Sequence, residues 1–253
     1  MEPLDAARIP LAGVRVRVLA RCPSTNSALL AEAGATPALL AAEEQIAGRG
    51  RRGRRWHSEP GADLTFSIAC RLRRPARELA VLPLVAGVAA VQALRRAGVA
   101  DAALKWPNDL VVREAKLGGI LVETRADGPG ATRAVFGIGI NVRHDPARAA
   151  RLRRPVAALE QFIAPSRNAV LHDVARALLD ALERFEAQGF AALRPQWETL
   201  HAHAGRRVRV RLADGRVLSG IAAGLAADGC LQVANRRGMH AVRTGEVLSA
   251  RAA

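Results

Sequence analysis

The sequence predicts an α+β fold: a mixed, largely antiparallel sheet flanked by helices, followed by a small C-terminal β-barrel. Three observations predict it. Between residues 103 and 142, strand-like runs follow one another across turns too short for the crossovers that parallel strands need. Helical stretches stand on either side of these runs, at Glu78–Ala97 and Asn168–Ala187. After Gly205 the pattern changes to short strands punctuated by Asp214-Gly215, Asp228-Gly229 and Arg237-Gly238, which is the pattern of a small barrel. The boundary falls so that residues 1–203 form the larger domain and 204–253 the smaller one.

The elements follow in order. Val14–Ala20 (VRVRVLA) alternates apolar and basic residues and reads as a half-exposed strand. Pro23 leads into a helix over Ser27–Ala33 that Gly34 ends, and Ser24, Thr25 and Asn26 can each cap it. Ala38–Glu44 reads as a second strand, entering the loop Gly48–Trp56. Asp63–Arg71 reads as a third, after the turn Pro60-Gly61. Glu78–Ala97 is the longest apolar helical segment, with Gly98 as its stop, and its uniform apolarity predicts a helix buried across a sheet. Ala103–Trp106, Asp109–Val112 and Lys116–Thr124 are β-like. Thr132–Val142 is another such run, broken by Gly137 and Gly139. Val156–Ile163, Asn168–Ala187 and Phe190–Ala202 look helical, whereas His144–Pro155 reads as a loop of arginines and prolines.

At 50% hydrophobic and 24% charged residues, the 253-residue chain has a globular composition, not a disordered one. No run approaches the roughly 18–20 uninterrupted apolar residues of a membrane helix. The start, MEPLDAARIPLAG, lacks the apolar segment of a signal peptide, so a cytoplasmic protein is predicted. Cys22, Cys70 and Cys230 are far apart, without the spacing of a zinc site or a disulfide framework. The net charge of +15 suits a nucleic-acid partner. Yet 36 of the 38 basic residues are arginine, a bias that looks compositional and weakens charge as a clue. It also makes Lys105 and Lys116 conspicuous, because a site that needs a compact point charge resists replacement by a planar fork.

Residues 48–56 read GRGRRGRRW, and the first six fit the dinucleotide-binding spacing G-x-G-x-x-G. That reading needs a helix opening on the third glycine, but Gly53 is followed by RRWHSEPGADL, which has no helical period. No Walker-type loop occurs. Two readings remain: a basic loop that tracks a phosphate backbone with Trp56 stacking on a base, or a glycine-hinged loop that closes over a small polyanion such as ATP. With 3% aromatic residues and no tyrosine the first is poorly stocked, but the loop alone leaves both open.

Other segments bear on the choice. Lys105-Trp106-Pro107-Asn108-Asp109 stands at a strand end, where Pro107 breaks the ladder and lets side chains turn into a site. Lys116-Leu117-Gly118-Gly119 suits close backbone approach by a ligand. Gly137-Ile138-Gly139-Ile140-Asn141 ends a strand on a polar residue. With Ser24-Thr25-Asn26, Gln45 and the arginine loop, these segments stand in the order and spacing of the biotin–protein ligases, which the chain resembles over essentially its whole length.

The resemblance implies a fold like that of class II aminoacyl-tRNA synthetases and biotin ligases, with an SH3-like C-terminal barrel. It implies activation of biotin by MgATP to biotinyl-5′-AMP, then transfer to a lysine of a biotin carboxyl carrier protein. Lys116 and Arg51 are the catalytic residues it implies. Biotin is to be held by Ser24, Thr25, Asn26 and Gln45 with Gly48, Arg49, Gly50, Arg51, Lys116 and Gly119. The nucleotide falls to Arg49, Arg51, Arg52, Arg54, Trp56, Lys105, Asn108, Lys116 and Asn141, and Mg2+ to Asn108 and Asp109. The loop is expected to be mobile when empty and ordered over the adenylate. Only about a dozen residues precede the first strand, so DNA binding of the kind seen in members with an N-terminal winged helix is not expected; nor is a membrane partner. A homodimer is compatible with the family. The readings set beside this one are a lipoate–protein ligase and a basic nucleic-acid-binding module.

Overall fold

The computed structural model describes residues 2–34, 36–152 and 154–251. Seven strands form one sheet in the order β1-β2-β3-β7-β6-β5-β4. They are β1 (Arg15–Cys22), β2 (Ala38–Gln45), β3 (Asp63–Leu72), β4 (Ala102–Lys105), β5 (Asp109–Val112), β6 (Ala115–Ala126) and β7 (Thr132–Asn141). Only β1 and β2 run parallel, joined across the short helix α1 (Thr25–Ala31). Every other neighbouring pair is antiparallel, as the short turns predict.

Side-chain alternation splits this sheet into two faces. Leu64, Phe66 and Ile68 of β3, with Phe136, Ile138 and Ile140 of β7, are fully buried in the main core. Helix α2 (Leu82–Arg96) packs into that core with 11 of its 15 residues buried, and α4 (Arg167–Gln188) packs on it in turn. The stretch Ala76–Arg96 is long and apolar enough to cross a membrane, yet 72% of its most apolar window lies inside the fold, as a core helix requires. Its first turns, Ala76–Val81, wind as 3-10 helix up to Pro83, which sits in the first turn of α2 where its missing N–H is harmless.

On the opposite face α1 covers half of the sheet. Leu29 meets Ala38, Leu40, Ala69 and Val135, a small second core. Of the three capping candidates Ser24 is the cap: its hydroxyl accepts from Ser27 N–H. The other half of this face, in the row Ala42–Thr65–Gly139–Gly119–Asp109, is left open for the site.

Four sequence readings need correction. Gly137 and Gly139 do not break β7, which pairs continuously with β3 and β6 over Thr132–Asn141. These glycines serve close approach instead: a Cβ on Gly137 would collide with Asn26, and one on Gly139 with the Trp56 ring. Val156–Ile163 is not a helix. Val156 bridges to Lys116 in extended form, and only Leu159–Gln161 makes a 3-10 turn. Conversely, the loop 144–155 contains a helix, α3 (Pro146–Leu152), begun by Asp145, whose carboxylate accepts from Ala147 N–H. Phe190–Ala202 is helical only in part, as a 3-10 turn at Phe190–Ala192 and α5 (Arg194–Leu200).

The C-terminal strands are β8 (Arg207–Leu212), β9 (Val217–Leu225), β10 (Leu231–Asn235), β11 (Gly238–Val242) and β12 (Gly245–Arg251), an antiparallel sheet ordered β11-β10-β9-β8-β12. The three predicted Xaa-Gly turns fall between its strands or open one. The sheet is fastened to the larger one. Trp106 Nε1 donates to Gly229 O at 3.2 Å, and Gly229, at φ +78°, packs against Val81 and Leu84.

Candidate active site

The cleft begins with the glycines. Gly119 and Gly139 face each other across β6 and β7, and Gly137 lies two residues along. Without side chains, they make the floor of a trough on an otherwise close-packed sheet. Trp56 lies over this floor, its ring against Gly139. A cavity of about 260 Å³ opens beside it, lined by Gly50, Arg51, Arg52, Arg54, Trp56, Lys105, Asn108, Asp109, Lys116 and Gly119. Ten of the sequence-predicted site residues therefore meet in one place.

Lys116 reaches the trough through a β-bulge. Pairing of β5 with β6 runs Asp109↔Gly119 and Leu110↔Gly118, then shifts to Val111↔Lys116. The extra residue, Leu117, turns Lys116 onto the face that carries Asp109, a common use of bulges at sites. Its ammonium lies 2.5 Å from Asp109 Oδ1. Burial and the nearby cations Arg154 and Lys105 press its pKa below the usual lysine value, while Asp109 opposes that shift. The backbone of Lys116 is also pinned: its N–H donates to Pro155 O, and its carbonyl accepts from Ala157 N and from Asn141 Nδ2.

Asn141 is accordingly spent on architecture. Its Nδ2 donates to Lys116 O at 3.1 Å and Ala157 O at 2.9 Å, and its Oδ1 accepts from Arg148. Arg148, from α3, is buried and makes a two-point pair with Asp63 at 2.5 and 2.8 Å. Asn141 lines a smaller hollow that adjoins the cleft, shared by Trp56, Lys116 and Arg154.

The arginine loop is folded over the trough. Arg51–Gly53 form a 3-10 turn with Arg52 at φ +58° and Gly53 at φ +71°. Arg51 donates to Asn108 Oδ1 at 3.2 Å, and Asn108 Nδ2 donates to Ile120 O. Arg54 makes a two-point contact with Glu246 of β12, so the C-terminal sheet holds one side of the loop. Gly245, Glu246, Val247 and Leu248 also line the cleft.

The remaining predicted residues stand behind this cleft instead of on its wall. Gln45 Oε1 accepts from Thr25 N at 2.8 Å, and the Thr25 and Ser67 hydroxyls lie 2.6 Å apart. Ser67 donates to Asn26 Oδ1, and Asn26 Nδ2 donates to Glu123. Ser24 caps α1, Arg49 pairs with Glu123, and Gly48 packs against the Trp56 carbonyl and Gln45. Sequence reasoning missed Ser67, Glu123, Arg154 and Glu246. Alternation of β3 from Thr65 marks Ser67 as trough-facing, but nothing in the sequence marks the other three.

The class of protein follows from two matches. Residues 18–141 match the Biotin/lipoate A/B protein ligase family and residues 203–248 the biotin protein ligase C terminal domain. The chain is 35% identical over 236 residues to the bifunctional ligase/repressor BirA of Escherichia coli K12, covering 91% of this chain and 73% of that one. It is 32% identical to the biotin--[acetyl-CoA-carboxylase] ligase of Paracoccus denitrificans, covering 91% and 98%. Its fold superposes on the biotin protein ligase from Aquifex aeolicus in complex with biotin and ATP at a TM-score of 0.80, with 28% identity over 94% of this chain and 99% of that one. The chain belongs to the biotin protein ligase family.

Proposed function

We infer that the protein activates biotin with ATP and transfers it to protein. One observation carries this for the chain's own residues: the Lys116–Asp109 pair, the arginine loop and the glycine floor converge on a single cleft. The carboxylate oxygen of biotin attacks the α-phosphorus, the bond to the bridging oxygen breaks and pyrophosphate leaves. A lysine amine of the acceptor then attacks the acyl carbon, AMP leaves and the amine gives up a proton. The acceptor we propose is a biotin carboxyl carrier domain of a carboxylase.

The first step brings anions together, so cations must be preorganised where charge develops. Lys116 turns from Asp109 to the α-phosphate and the biotin carboxylate, and Arg51 reaches the same group from the loop. The buried network of Thr25, Gln45, Asn26 and Ser67 supplies the donors and acceptors that a ureido ring requires, and opens to it when Trp56 lifts from Gly139 to lie on adenine. Lys105, Arg52 and Arg54 neutralise the departing pyrophosphate. Closure of residues 48–56 then shields the mixed anhydride from water until the amine arrives. The division into a catalytic unit, 1–203, and a C-terminal unit, 204–253, belongs to this reading, with β12 completing the cleft.

Magnesium enters with the nucleotide as MgATP. Among the described residues no three His, Cys, Asp or Glu side chains gather to hold a metal ion. Mg2+ needs no such cage when phosphates and water supply most of its ligands and one or two carboxylates complete them. Asp109 fits that need once Lys116 leaves it, and Asn108 Oδ1 is freed when Arg51 turns to the phosphate, while Asn108 Nδ2 stays on the Ile120 carbonyl.

The test is incubation with MgATP, biotin and a carrier domain, with lipoate as competitor and the mass of the acceptor as the readout. Biotin-dependent labelling that excess lipoate leaves intact is expected; no labelling, or labelling by lipoate instead, rejects the reading.

A further inference from the structure

Seven cationic side chains line the cleft against two acidic ones, Asp109 and Glu246. Most of the cations are committed in this structure. Arg51 donates to Asn108, Arg54 to Glu246, Arg55 to the Ile46 carbonyl, and Lys116 to Asp109. Arg52, Lys105 and Arg154 have no side-chain partner among the described residues, and of these only Arg154 carries a buried nitrogen. It lines both the main cleft and the adjoining hollow, and its Nε is buried with no hydrogen-bond partner among the described residues. Arg17, Arg133, Arg148 and Arg194 also leave a buried Nε unpaired, but each has a carboxylate within 4.0 Å. Arg154 has no acidic partner among the described residues, and a buried guanidinium nitrogen without an acceptor is costly.

The backbone fixes where Arg154 stands. Its own N–H donates to Ala149 O of α3, and the next residues run beside β6: Lys116 N donates to Pro155 O, Val156 bridges to Lys116, and Ala157 N donates to Lys116 O. Arg154 therefore enters the cleft one residue before a segment locked to Lys116. The half-buried Arg154 thus adds a second positive charge near the mostly buried Lys116, whose acidic partner is Asp109, and an anion between the two cations relieves their repulsion.

We propose that Arg154 is a phosphate-binding residue of this ligase, whose guanidinium takes the α-phosphate of the nucleotide beside Lys116 and keeps it in the acyl-adenylate. The proposal rests on the ligase reading above and adds a residue to it. Phosphate suits the group on three grounds. It is a planar multi-donor fork able to hold two phosphate oxygens at once. Its acceptor must be anionic, because a neutral one would leave the cations Lys116 and Arg154 repelling each other. It shares its hollow with Trp56, so it faces the same small space as the residue proposed to cover adenine.

The experiment compares wild type with Arg154→Gln and Arg154→Lys in biotin-dependent exchange of labelled pyrophosphate into ATP, across a pH series. For Arg154→Gln, KM for ATP is expected to rise roughly 10- to 100-fold, the worth of one charged hydrogen bond, while KM for biotin changes little. The alkaline limb of kcat/KM should move to higher pH, because Lys116 loses a cationic neighbour. Arg154→Lys should recover part of the ATP affinity. ATP-induced rise of the thermal unfolding midpoint, which is weakened in Arg154→Gln, reads the same binding without turnover. Wild-type KM for ATP and an unmoved alkaline limb in Arg154→Gln overturn the assignment, as does an equal loss for both substrates. Wild-type protein that exchanges no pyrophosphate rejects the ligase reading itself, and the proposal with it.

Discussion

Lys116 is one of two lysines in a chain that otherwise uses arginine, and the structure gives a reason for that choice. It reaches its position through a bulge, fits beneath Gly119 and touches Asp109, in a space that suits a compact ammonium. Lys116→Ala should lower adenylate formation by roughly 100- to 1,000-fold with the circular dichroism spectrum unchanged. Because burial lowers its pKa, the ammonium is lost at a pH below the usual lysine value, and kcat/KM should fall on the alkaline side earlier than pH 10.5. A pH profile flat up to that value would remove Lys116 from the reaction. The two lysines and the glycines were legible because their residue types are unusual for their surroundings. The Arg148–Asp63–Asn141 network was not, since arginines are everywhere in this sequence and the three residues come from separate elements. Arg148→Ala strands Asp63 in the interior and should cost about 3–5 kcal/mol, measured by urea unfolding. A loss under about 1 kcal/mol would show that the pair is solvated in solution.

At the scale of elements, most strands and helices lie within one or two residues of their predicted places, because hydrophobic periodicity is a local property. The errors concern tertiary context. Glycines in β7 signal a break when read alone, yet they are the floor on which Trp56 and Asn26 rest. Asp145-Pro146 is a good helix start, overlooked because arginine dominates the segment after it. Val156 is extended because Lys116 offers it a backbone partner from a distant strand. The glycine floor also makes a prediction. Gly139→Val leaves the strand intact but drives the Trp56 ring off β7. Limited proteolysis should then cut within residues 48–56 faster than in wild type, with a raised KM for biotin. Unchanged cleavage would mean that the loop does not depend on that contact.

For the whole molecule, two sheets share one cleft. The C-terminal sheet supplies one wall and holds Arg54 through Glu246. At the junction the ring of the buried His201 lies 4.6 Å, centroid to centroid, from that of Trp197, with no partner for either nitrogen among the described residues, and His203 Nε2 donates to the Glu114 carboxylate. Burial lowers the pKa of His201 to about 3. Its folded value thus lies below that of the unfolded chain, so stability is full above pH 6.5 and drains as pH falls from 6.5 toward 3. Between pH 7 and 5 this one group removes about 2 kcal/mol, and His201→Leu should flatten the fall in unfolding midpoint over that range. An identical acid slope in the variant would assign the sensitivity elsewhere. The central claim is that this cleft joins biotin to AMP. It is tested most directly by mass spectrometry of the small molecules released from protein denatured after incubation with biotin and MgATP. The account predicts stoichiometric biotinyl-5′-AMP from wild type and almost none from Lys116→Ala; its absence from wild type, or equal amounts from both, would contradict it.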